Sequence, residues 1–252
     1  MIISERPKSS NLSKGEAKLV LKLKNINVSC ASKQTLKNIS TSFETGEIVM
    51  IIGVNGSGKS TLLKVLAGLI DYNGEIILPE GINDVSEITG YVFQNPETQI
   101  IGSTVWEDVI FGLENIGLDK KEMEARANYV LNLLELAELK DVDPYYLSGG
   151  QKQRLAIASV LALQPEFLLL DEVTAMLDKN GKREVVEAVV KLKEAGKGII
   201  IATHELNLFS PYADRCIYID DGTVVFDGNP NDGIKLYREK VHREFTTKAR
   251  NL

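Results

Sequence analysis

The chain has 252 residues, 44% of them hydrophobic and 25% charged, which is enough to bury a full core as one large domain or two closely packed subdomains. Its net charge of −6 and pI of about 5.2 argue against a nucleic-acid-binding surface, which is usually basic. Cys30 and Cys216 lack metal-ligand spacing and indicate a reducing cytosolic compartment. We expect no signal peptide. We also expect no membrane span, because no apolar run approaches the roughly 20 residues that a span needs.

The first part of the chain predicts a tail followed by antiparallel strands. Residues 1–18 are mostly polar and lack periodicity, so we interpret them as a flexible tail. Residues 19–30 and 35–47 alternate apolar and polar side chains with a period of two, as half-buried antiparallel strands do. Apolar runs beside glycines predict further strands at Ile48–Ile52, 74–78 and 90–93.

Residues 96–159, approximately, have a helical character that interrupts an α/β pattern. Within them, residues 121–139 place apolar side chains mainly on one face, as a surface helix packed on a core does. From residue 167 strands and helices alternate, which predicts a mainly parallel sheet covered on both faces, with a hairpin at Asp221 and Gly222. The helical block is therefore predicted to be an insertion in an α/β core.

A glycine-rich segment, GVNGSGKST at residues 53–61, lies between an apolar strand and an apolar helix. This is the context of a phosphate-binding loop, in which glycines allow positive φ and backbone N–H groups converge on an anion at the start of the helix. Lys59 is predicted to reach the β- and γ-phosphates, and the Ser60 hydroxyl to ligate Mg²⁺. The alternative is a chance match in a glycine-rich turn.

Two acids follow the strand predicted at residues 167–171, where the sequence reads FLLLDE. An aspartate at the carboxyl edge of a parallel strand near a phosphate loop holds the Mg²⁺ that bridges the β- and γ-phosphates, which predicts this role for Asp171. Glu172 is then predicted to face the attacking water, as its base or as the group that orients it. The alternative is a strand that simply stops at a polar turn.

The segment LSGGQKQR at residues 147–154 places a serine and two glycines before a helix predicted to begin at Gln151. Such a start offers a hydroxyl and bare N–H groups to an anion; the alternative is an N-capped helix with a permissive turn. Because the chain then has two phosphate-binding helix starts, the simplest use of both is a head-to-tail dimer. In this dimer, the segment closes the nucleotide site of the other subunit.

In order and spacing, these segments resemble the nucleotide-binding subunits of ATP-binding cassette (ABC) transporters over residues 19–228. The resemblance implies an α/β fold: a P-loop NTPase (RecA-like) core with an N-terminal antiparallel β subdomain and an inserted α-helical subdomain at about residues 96–159. It also implies a Q-loop glutamine at Gln94, a D-loop aspartate at Asp178 and a switch histidine at His204. The alternative for the histidine is a polar residue at a strand end.

Motifs and resemblance together predict three groups of site residues, with ATP and Mg²⁺ as cofactors. The catalytic residues are Lys59, Glu172 and His204, and the metal ligands are Ser60, Gln94 and Asp171. The nucleotide-binding residues are Gly53, Asn55, Gly56, Ser57, Gly58, Lys59, Ser60, Thr61, Gln94, Ser148, Gly149, Gly150, Gln151 and Asp178.

Two segments, residues 91–118 and 171–178, more closely resemble the energy-coupling factor importers and the related cobalt and nickel uptake ATPases. This resemblance implies an ATP-hydrolysing subunit that powers uptake of a vitamin or metal ion, as a homo- or heterodimer on the cytoplasmic face of the cell membrane. The implied partners are a transmembrane coupling subunit and a substrate-specific membrane subunit, with no nucleic acid. The alternative is the ATPase of an importer that receives its solute from a separate solute-binding protein.

Residues 229–252 are predicted to form a C-terminal helical extension. Apolar residues recur there at helical spacing, at Ile234, Tyr237, Val241 and Phe245. Two uses stay open. The helix either packs on its own domain, or keeps two subunits together between cycles, as the resemblance to energy-coupling ATPases implies.

Cys30 departs from the resemblance, because family members usually have an aromatic side chain there that stacks on adenine. A base–aromatic contact contributes roughly 1–3 kcal/mol, whereas a thiol has less area and no π face. We therefore predict that GTP competes with ATP better here than in a cassette with the aromatic residue, and that Cys30→Tyr tightens ATP binding. Competition binding on both proteins tests this. A strong ATP preference in the wild type with no gain in the variant would show that another aromatic, such as Tyr72, holds adenine.

Overall fold

A computed structural model of the protein describes residues 18–30 and 33–250, with side chains over residues 18–29 and 34–243. Residues 1–17 of the predicted tail and residues 251–252 lie outside the described residues, as does the side chain of Cys30. Within the described ranges, the strands are β1 (Val20–Cys30), β2 (Lys33–Glu44), β3 (Ile48–Ile52), β4 (Asn73–Ile77), β5 (Thr89–Val92), β6 (Phe167–Asp171), β7 (Gly198–Ala202), β8 (Arg215–Asp220) and β9 (Thr223–Gly228). The helices are α1 (Lys59–Leu66), α2 (Val105–Asn115), α3 (Lys120–Leu133), α4 (Gly149–Ala162), α5 (Lys179–Glu194), α6 (Leu206–Phe209) and α7 (Pro230–Arg250), with 3₁₀ turns at Val85–Glu87, Pro96–Thr98, Ala137–Leu139 and Pro144–Tyr146.

The central sheet has six strands in the order β5-β6-β7-β3-β8-β9. All neighbours pair in parallel except β9, which returns antiparallel from β8 through a hairpin at Asp221 and Gly222. Strands β3, β6 and β7 are buried at every position, because a parallel sheet is covered on both faces and its strands are apolar throughout. The predicted parallel sheet and hairpin are confirmed.

The two faces of this sheet pack against two separate apolar cores, because successive side chains of a strand point to opposite sides. On β3, Ile48, Met50 and Ile52 pack into the core formed with α2, α3, α4 and α5. Val49 and Ile51 pack into the core formed with α1 and the N-terminal strands. Since both faces are covered, polar groups reach the surface at the ends of the strands.

The N-terminal strands form a separate antiparallel sheet in the order β2-β1-β4. The pairing of β1 with β2 shifts register between Leu23 and Ile26, and the intervening Asn25 has φ 53. Irregularities of this kind bend and twist a sheet, and the apolar face of this one packs on α1. The predicted antiparallel β subdomain is confirmed.

The inserted helices α2, α3 and α4 pack on one another and begin at side-chain caps on Thr104, Asp119 and Ser148. Each cap side chain accepts a hydrogen bond from a backbone N–H in the first turn of its helix, which fixes where the helix begins. Their mutual packing matches the predicted helical insertion.

The helix predicted over residues 121–139 is wrong at its end, because α3 stops well before residue 139. Glu135 takes a left-handed conformation with φ 57, and the Leu136 N–H bonds back to the helix at 2.8 Å, which closes it as a C-terminal motif. Arg154 of α4 donates to the Leu134 carbonyl at 2.8 Å. Since Leu134 and Leu136 stay buried after the chain leaves the helix, the apolar spacing continues past the true end.

The C-terminal helix α7 packs its first half on the domain to which it is joined. Ile234 is buried in the core, and the ring of Tyr237 meets that of Tyr218 edge to face at 5.4 Å. The side chain of Phe245 lies outside the described residues, and pairing of two subunits through this helix stays a prediction. Neither α7 nor any other helix in the described part combines the length and apolar character of a membrane span.

We predict that Ile234→Ala destabilises the protein by about 2–4 kcal/mol, because it leaves a cavity in the core. Leu236, on the same helix, is 41% exposed, so Leu236→Ala is the matched control with an expected loss under about 1 kcal/mol. Urea unfolding of both variants measures the difference. Equal losses would contradict the packing of α7 on this domain.

Candidate active site

The phosphate-loop segment connects β3 to α1, and close contacts require glycine at two of its positions. Gly53 has φ 154, and a Cβ there would lie 2.2 Å from the Ile219 carbonyl oxygen. Gly58 has φ 112, and its Cβ would lie 2.9 Å from the Thr35 carbonyl oxygen. A side chain at either position would collide with the backbone of β8 or β2, so these strands shape the loop.

The start of α1 is open to an anion. Gly58 is the N-cap, it makes no side-chain cap bond, and the first turn holds no acidic residue, so no capping side chain competes with an anion for the N–H groups and the positive end of the helix dipole. The Ser57 hydroxyl is buried and has no hydrogen-bond partner among the described residues, which suits an acceptor supplied by a ligand. Asn55 and Gly56 are exposed at the rim, and Thr61 is half-buried in the first turn.

Lys59 bends back over the loop. Its Nζ donates to the carbonyl oxygens of Gly53 at 3.0 Å and Val54 at 3.2 Å. Burial lowers the pKa of Lys59, and the nearby Glu172 and Asp171 carboxylates oppose this shift. The amine is therefore held at the loop beside two carboxylates, where a phosphate bound by the loop would meet it.

Asp171, at the end of β6, receives a hydrogen bond on each carboxylate oxygen. Ser60 Oγ donates to Oδ1 at 2.9 Å, and the Tyr91 hydroxyl donates to Oδ2 at 2.6 Å. Burial, and next the bond to Asp171, raise the pKa of Tyr91 well above its usual range, so this hydroxyl is a donor at neutral pH. The sequence prediction missed Tyr91, because its role depends on the pairing of β5 with β6, which the residue pattern does not contain.

Glu172 and His204 complete a cluster with Lys59 and Asp171. Glu172 Oε1 lies 2.9 Å from His204 Nε2, which in turn lies 3.2 Å from Lys59 Nζ. A charged amine only donates and a carboxylate only accepts, so Nε2 bonds to one or the other according to its protonation state. Glu172 has φ 50, a backbone conformation that costs of order 1–3 kcal/mol and is frequent at functional sites.

Gln94 lies at the same edge of the sheet as this cluster. It follows β5, which pairs in parallel with β6 up to Val92 and Leu170, so Gln94 is level with Glu172. It is exposed, and within residues 34–243 no side-chain hydrogen bond joins it to the cluster. The carbonyl of the preceding Phe93 accepts from Gln153 of α4 at 3.4 Å, so the loop that carries Gln94 is tied to that helix.

The serine and glycines of the LSGGQKQR segment start α4, which begins at Gly149 rather than at the predicted Gln151. Ser148 Oγ accepts from Gln151 N at 3.2 Å, and Gln151 Oε1 accepts from Ser148 N at 2.8 Å. This reciprocal pair is a capping box. The N-capped helix, which the sequence left as an alternative, is therefore what these two side chains form within one subunit.

The start of α4 and the start of α5 form a second cluster. A Cβ on Gly150 would lie 2.8 Å from Gly181 Cα, and the Gly181 N–H donates to Asp178 Oδ1 at 2.8 Å. No hydrogen bond or ion pair found among the described side chains joins this cluster to Lys59. One subunit thus brings the predicted residues together in two groups rather than one.

The donor set at Asp171 and Ser60 fits Mg²⁺. A carboxylate and a hydroxyl are the hard oxygen ligands that Mg²⁺ prefers, and it usually takes its other ligands from phosphate and water. In the part of the chain that the structure describes, no group of three or more His, Cys, Asp or Glu residues could hold a metal by itself. A bound nucleotide would therefore have to complete the site.

Comparison with known proteins agrees with this architecture. The sequence model of the ABC transporter family matches residues 36–175. The Energy-coupling factor transporter ATP-binding protein EcfA1 of Thermotoga maritima is 49% identical over 213 residues, which cover 83% of this chain and 79% of that protein. The protein of the same name from Bacillus subtilis is 42% identical over 219 residues, which cover 84% of this chain and 78% of that protein.

Solved structures show the same likeness. CbiO1 from Clostridium perfringens, described as part of the ABC transporter complex CbiONQ, has a TM-score of 0.80 and 33% identity over 90% of this chain and 94% of its own. A nucleotide-free ATP-binding cassette from an ABC transporter has a TM-score of 0.77 and 25% identity over 88% of this chain and 95% of its own. The predicted P-loop NTPase fold is confirmed.

We predict that Gly53→Ala destabilises the protein by more than about 3 kcal/mol and abolishes nucleotide binding, because its methyl group meets backbone and Ser57 Oγ. Gly56 has φ 78, but a Cβ there meets nothing within 4 Å. Gly56→Ala should therefore cost only the left-handed backbone, about 1–2 kcal/mol. Thermal unfolding and binding of a fluorescent ATP analogue compare the two, and equal effects would refute the contacts that shape the loop.

Proposed function

The chain belongs to the ABC transporter family, as an ATP-binding subunit of the energy-coupling factor type, and we propose that it hydrolyses ATP at the cluster of Lys59, Asp171 and Glu172. The observation that carries this proposal is the meeting of an amine, two carboxylates and His204 beside a helix start open to an anion. Phosphoryl transfer depends on positioning and charge stabilisation rather than on covalent chemistry. The cluster offers groups for both tasks.

The loop and Lys59 bind the phosphates in this proposal. Backbone N–H groups at the start of α1 and the Ser57 hydroxyl donate to phosphate oxygens. Lys59 exchanges the carbonyls of Gly53 and Val54, to which it now donates, for the more strongly accepting β- and γ-phosphate oxygens. Because these carbonyls belong to the loop itself, the exchange moves the side chain only a short way.

Ser60 and Asp171 would hold Mg²⁺, with Gln94 approaching from the end of β5. When held there with the nucleotide, the ion would supply positive charge that stabilises the phosphates during transfer. The hydrogen bond between Ser60 and Asp171 keeps the two oxygen donors together beforehand. Their prior alignment reduces the reorganisation that binding requires.

Glu172 and His204 act on the attacking water and the γ-phosphate. As the water oxygen bonds to the γ-phosphorus, Glu172 accepts its proton, and the bond to the β-phosphate oxygen breaks to leave ADP and phosphate. With Nε2 protonated, His204 would exchange Glu172 as its acceptor for an oxygen of the γ-phosphate held beside Lys59. The present contacts of His204 with Lys59 and Glu172 support this exchange, because they place Nε2 next to the amine that would bind the same phosphate.

A second subunit completes each site in this proposal. The start of α4, at residues 148–151, and Asp178 of one subunit would close on the nucleotide held by Lys59 of the other. The support is the separation of the two clusters within one chain, together with the exposure of Ser148 and Gly149 at a helix start suited to an anion. ATP then binds both subunits at once, so its hydrolysis releases the contact between them.

The proposed partners are a transmembrane coupling subunit and a substrate-specific membrane subunit, bound at the cytoplasmic face of the cell membrane. The names of the relatives support this, since they are energy-coupling factor transporter ATP-binding proteins and a part of the CbiONQ complex. Exposed apolar side chains on the segment that follows β5, namely Phe93 and Ile101, suit a contact with such a partner. We propose a vitamin or metal ion as the cargo, selected by the membrane subunits.

Purification of the native complex tests the assembly. We expect this chain to co-purify with a second ATPase subunit, a coupling protein and a small integral substrate-binding protein. Recovery of a separate solute-binding protein in place of the integral one would instead favour the importer class left open by the sequence.

We predict that Glu172→Gln keeps ATP binding but lowers turnover by roughly 10²–10⁴, because the amide has the same shape but does not accept the proton. The variant should accumulate as an ATP-bound dimer. Glu166, which precedes β6 and pairs with Lys197 at 3.4 Å, supplies the matched control, and Glu166→Gln should hydrolyse ATP at the wild-type rate. Steady-state ATPase assays and light scattering measure both; near-normal turnover in Glu172→Gln would remove the base from the proposal.

A further inference from the structure

We infer that Tyr91 is a positioning residue that holds the Asp171 carboxylate in one orientation for the metal-bound nucleotide. The inference rests on the metal role proposed for Asp171. It concerns a residue that touches neither nucleotide nor metal in the proposed site and that acts through Asp171.

The geometry assigns a separate donor to each oxygen of the carboxylate. Ser60 Oγ donates to Oδ1 at 2.9 Å, and the Tyr91 hydroxyl donates to Oδ2 at 2.6 Å. A distance of 2.6 Å lies in the range of short, charge-assisted O–H···O⁻ bonds. With both oxygens engaged, and with Asp171 only 8% exposed, the carboxylate has little freedom to rotate.

The two donors differ in their roles when the nucleotide and metal bind. Ser60 is itself a predicted Mg²⁺ ligand, so in the loaded site its hydroxyl would also serve the metal. The Tyr91 hydroxyl has no such second task. It would therefore remain the donor on Asp171 Oδ2 in the loaded site.

Tyr91 is itself held from two sides. It pairs with Leu169 on β6, and Leu169 shares a face of the sheet with Asp171 because side chains alternate along a strand. The ring also packs edge to face on Phe93 at 4.9 Å. The phenol therefore reaches Asp171 from a neighbouring strand with its ring fixed, as an effective outer partner of a metal ligand must be.

The test compares the affinity of the full chain for a fluorescent ATP analogue with Mg²⁺ and with EDTA. The dissociation constant with EDTA, divided by the dissociation constant with Mg²⁺, measures the contribution of the metal. A general structural defect changes both constants alike and leaves this ratio unchanged. Tyr91→Phe keeps the ring and removes the hydroxyl. We expect the EDTA value to stay unchanged and the ratio to fall about 10-fold, as loss of an outer partner of a metal ligand commonly does.

Two controls separate the inference from the function on which it rests. Tyr129→Phe, at a 59% exposed tyrosine on α3, should leave the ratio unchanged. Asp171→Asn should abolish most of the Mg²⁺ contribution, and adding Tyr91→Phe to it should have no further effect, because the hydroxyl acts through the carboxylate.

Two results would overturn the inference alone: an unchanged ratio in Tyr91→Phe while Asp171→Asn loses it, or equal weakening with Mg²⁺ and with EDTA. If Asp171→Asn itself keeps the wild-type ratio, the metal role of Asp171 is refuted and the proposed function must be revised with it.

Discussion

Parallel pairing of β6, β7 and β3 is the constraint on which the rest of the site depends. Asp171 and Ile51 both pair with Ala202, so the three strands end at the same level. Hydrogen bonds continue just beyond them, from Glu172 N to Ala202 O at 2.9 Å and from Thr203 N to Ile51 O at 3.2 Å. The residues that leave these strands, which are far apart in the chain, therefore emerge at one edge of the sheet, where α/β proteins bind their ligands.

Segments distant from the phosphate loop give the loop its shape. The turn between β8 and β9 supports it through Gly222, whose N–H donates to Ser57 O at 2.9 Å. The same turn is fastened to the antiparallel sheet, because Lys37 N donates to Gly222 O at 2.7 Å and Lys37 Nζ pairs with Asp221 at 2.6 Å. Two sheets thus hold the loop in place, which would lower the cost of ordering it when a ligand binds.

The charges of the site favour a shared nucleotide. Within one subunit, Lys59 faces two carboxylates, Asp171 and Glu172, and triphosphate adds more negative charge beside them. Bound Mg²⁺ and the positive end of a second helix would relieve this repulsion. The start of α4 is such a helix end, but its own subunit holds it against α5 through Gly150 and Gly181. In the proposed dimer, the start of α4 from the other subunit lies at the nucleotide, which the start of α4 in the same subunit does not reach.

The sequence by itself determined the features that depend on residues close together in the chain. Apolar periodicity, apolar runs and a glycine-rich segment were enough to predict the strands of both sheets, the helical insertion, Asp171 at the end of its strand and Lys59 at the start of its helix. Only the tertiary structure decided how separate segments meet. The bond from Tyr91 to Asp171 depends on strand register, the left-handed backbone of Glu172 on its bond to Ala202, and the end of α3 on a chain reversal that keeps its leucines buried. These features depend on the packing of segments far apart in the chain, and a local pattern of residue types carries no information about that packing.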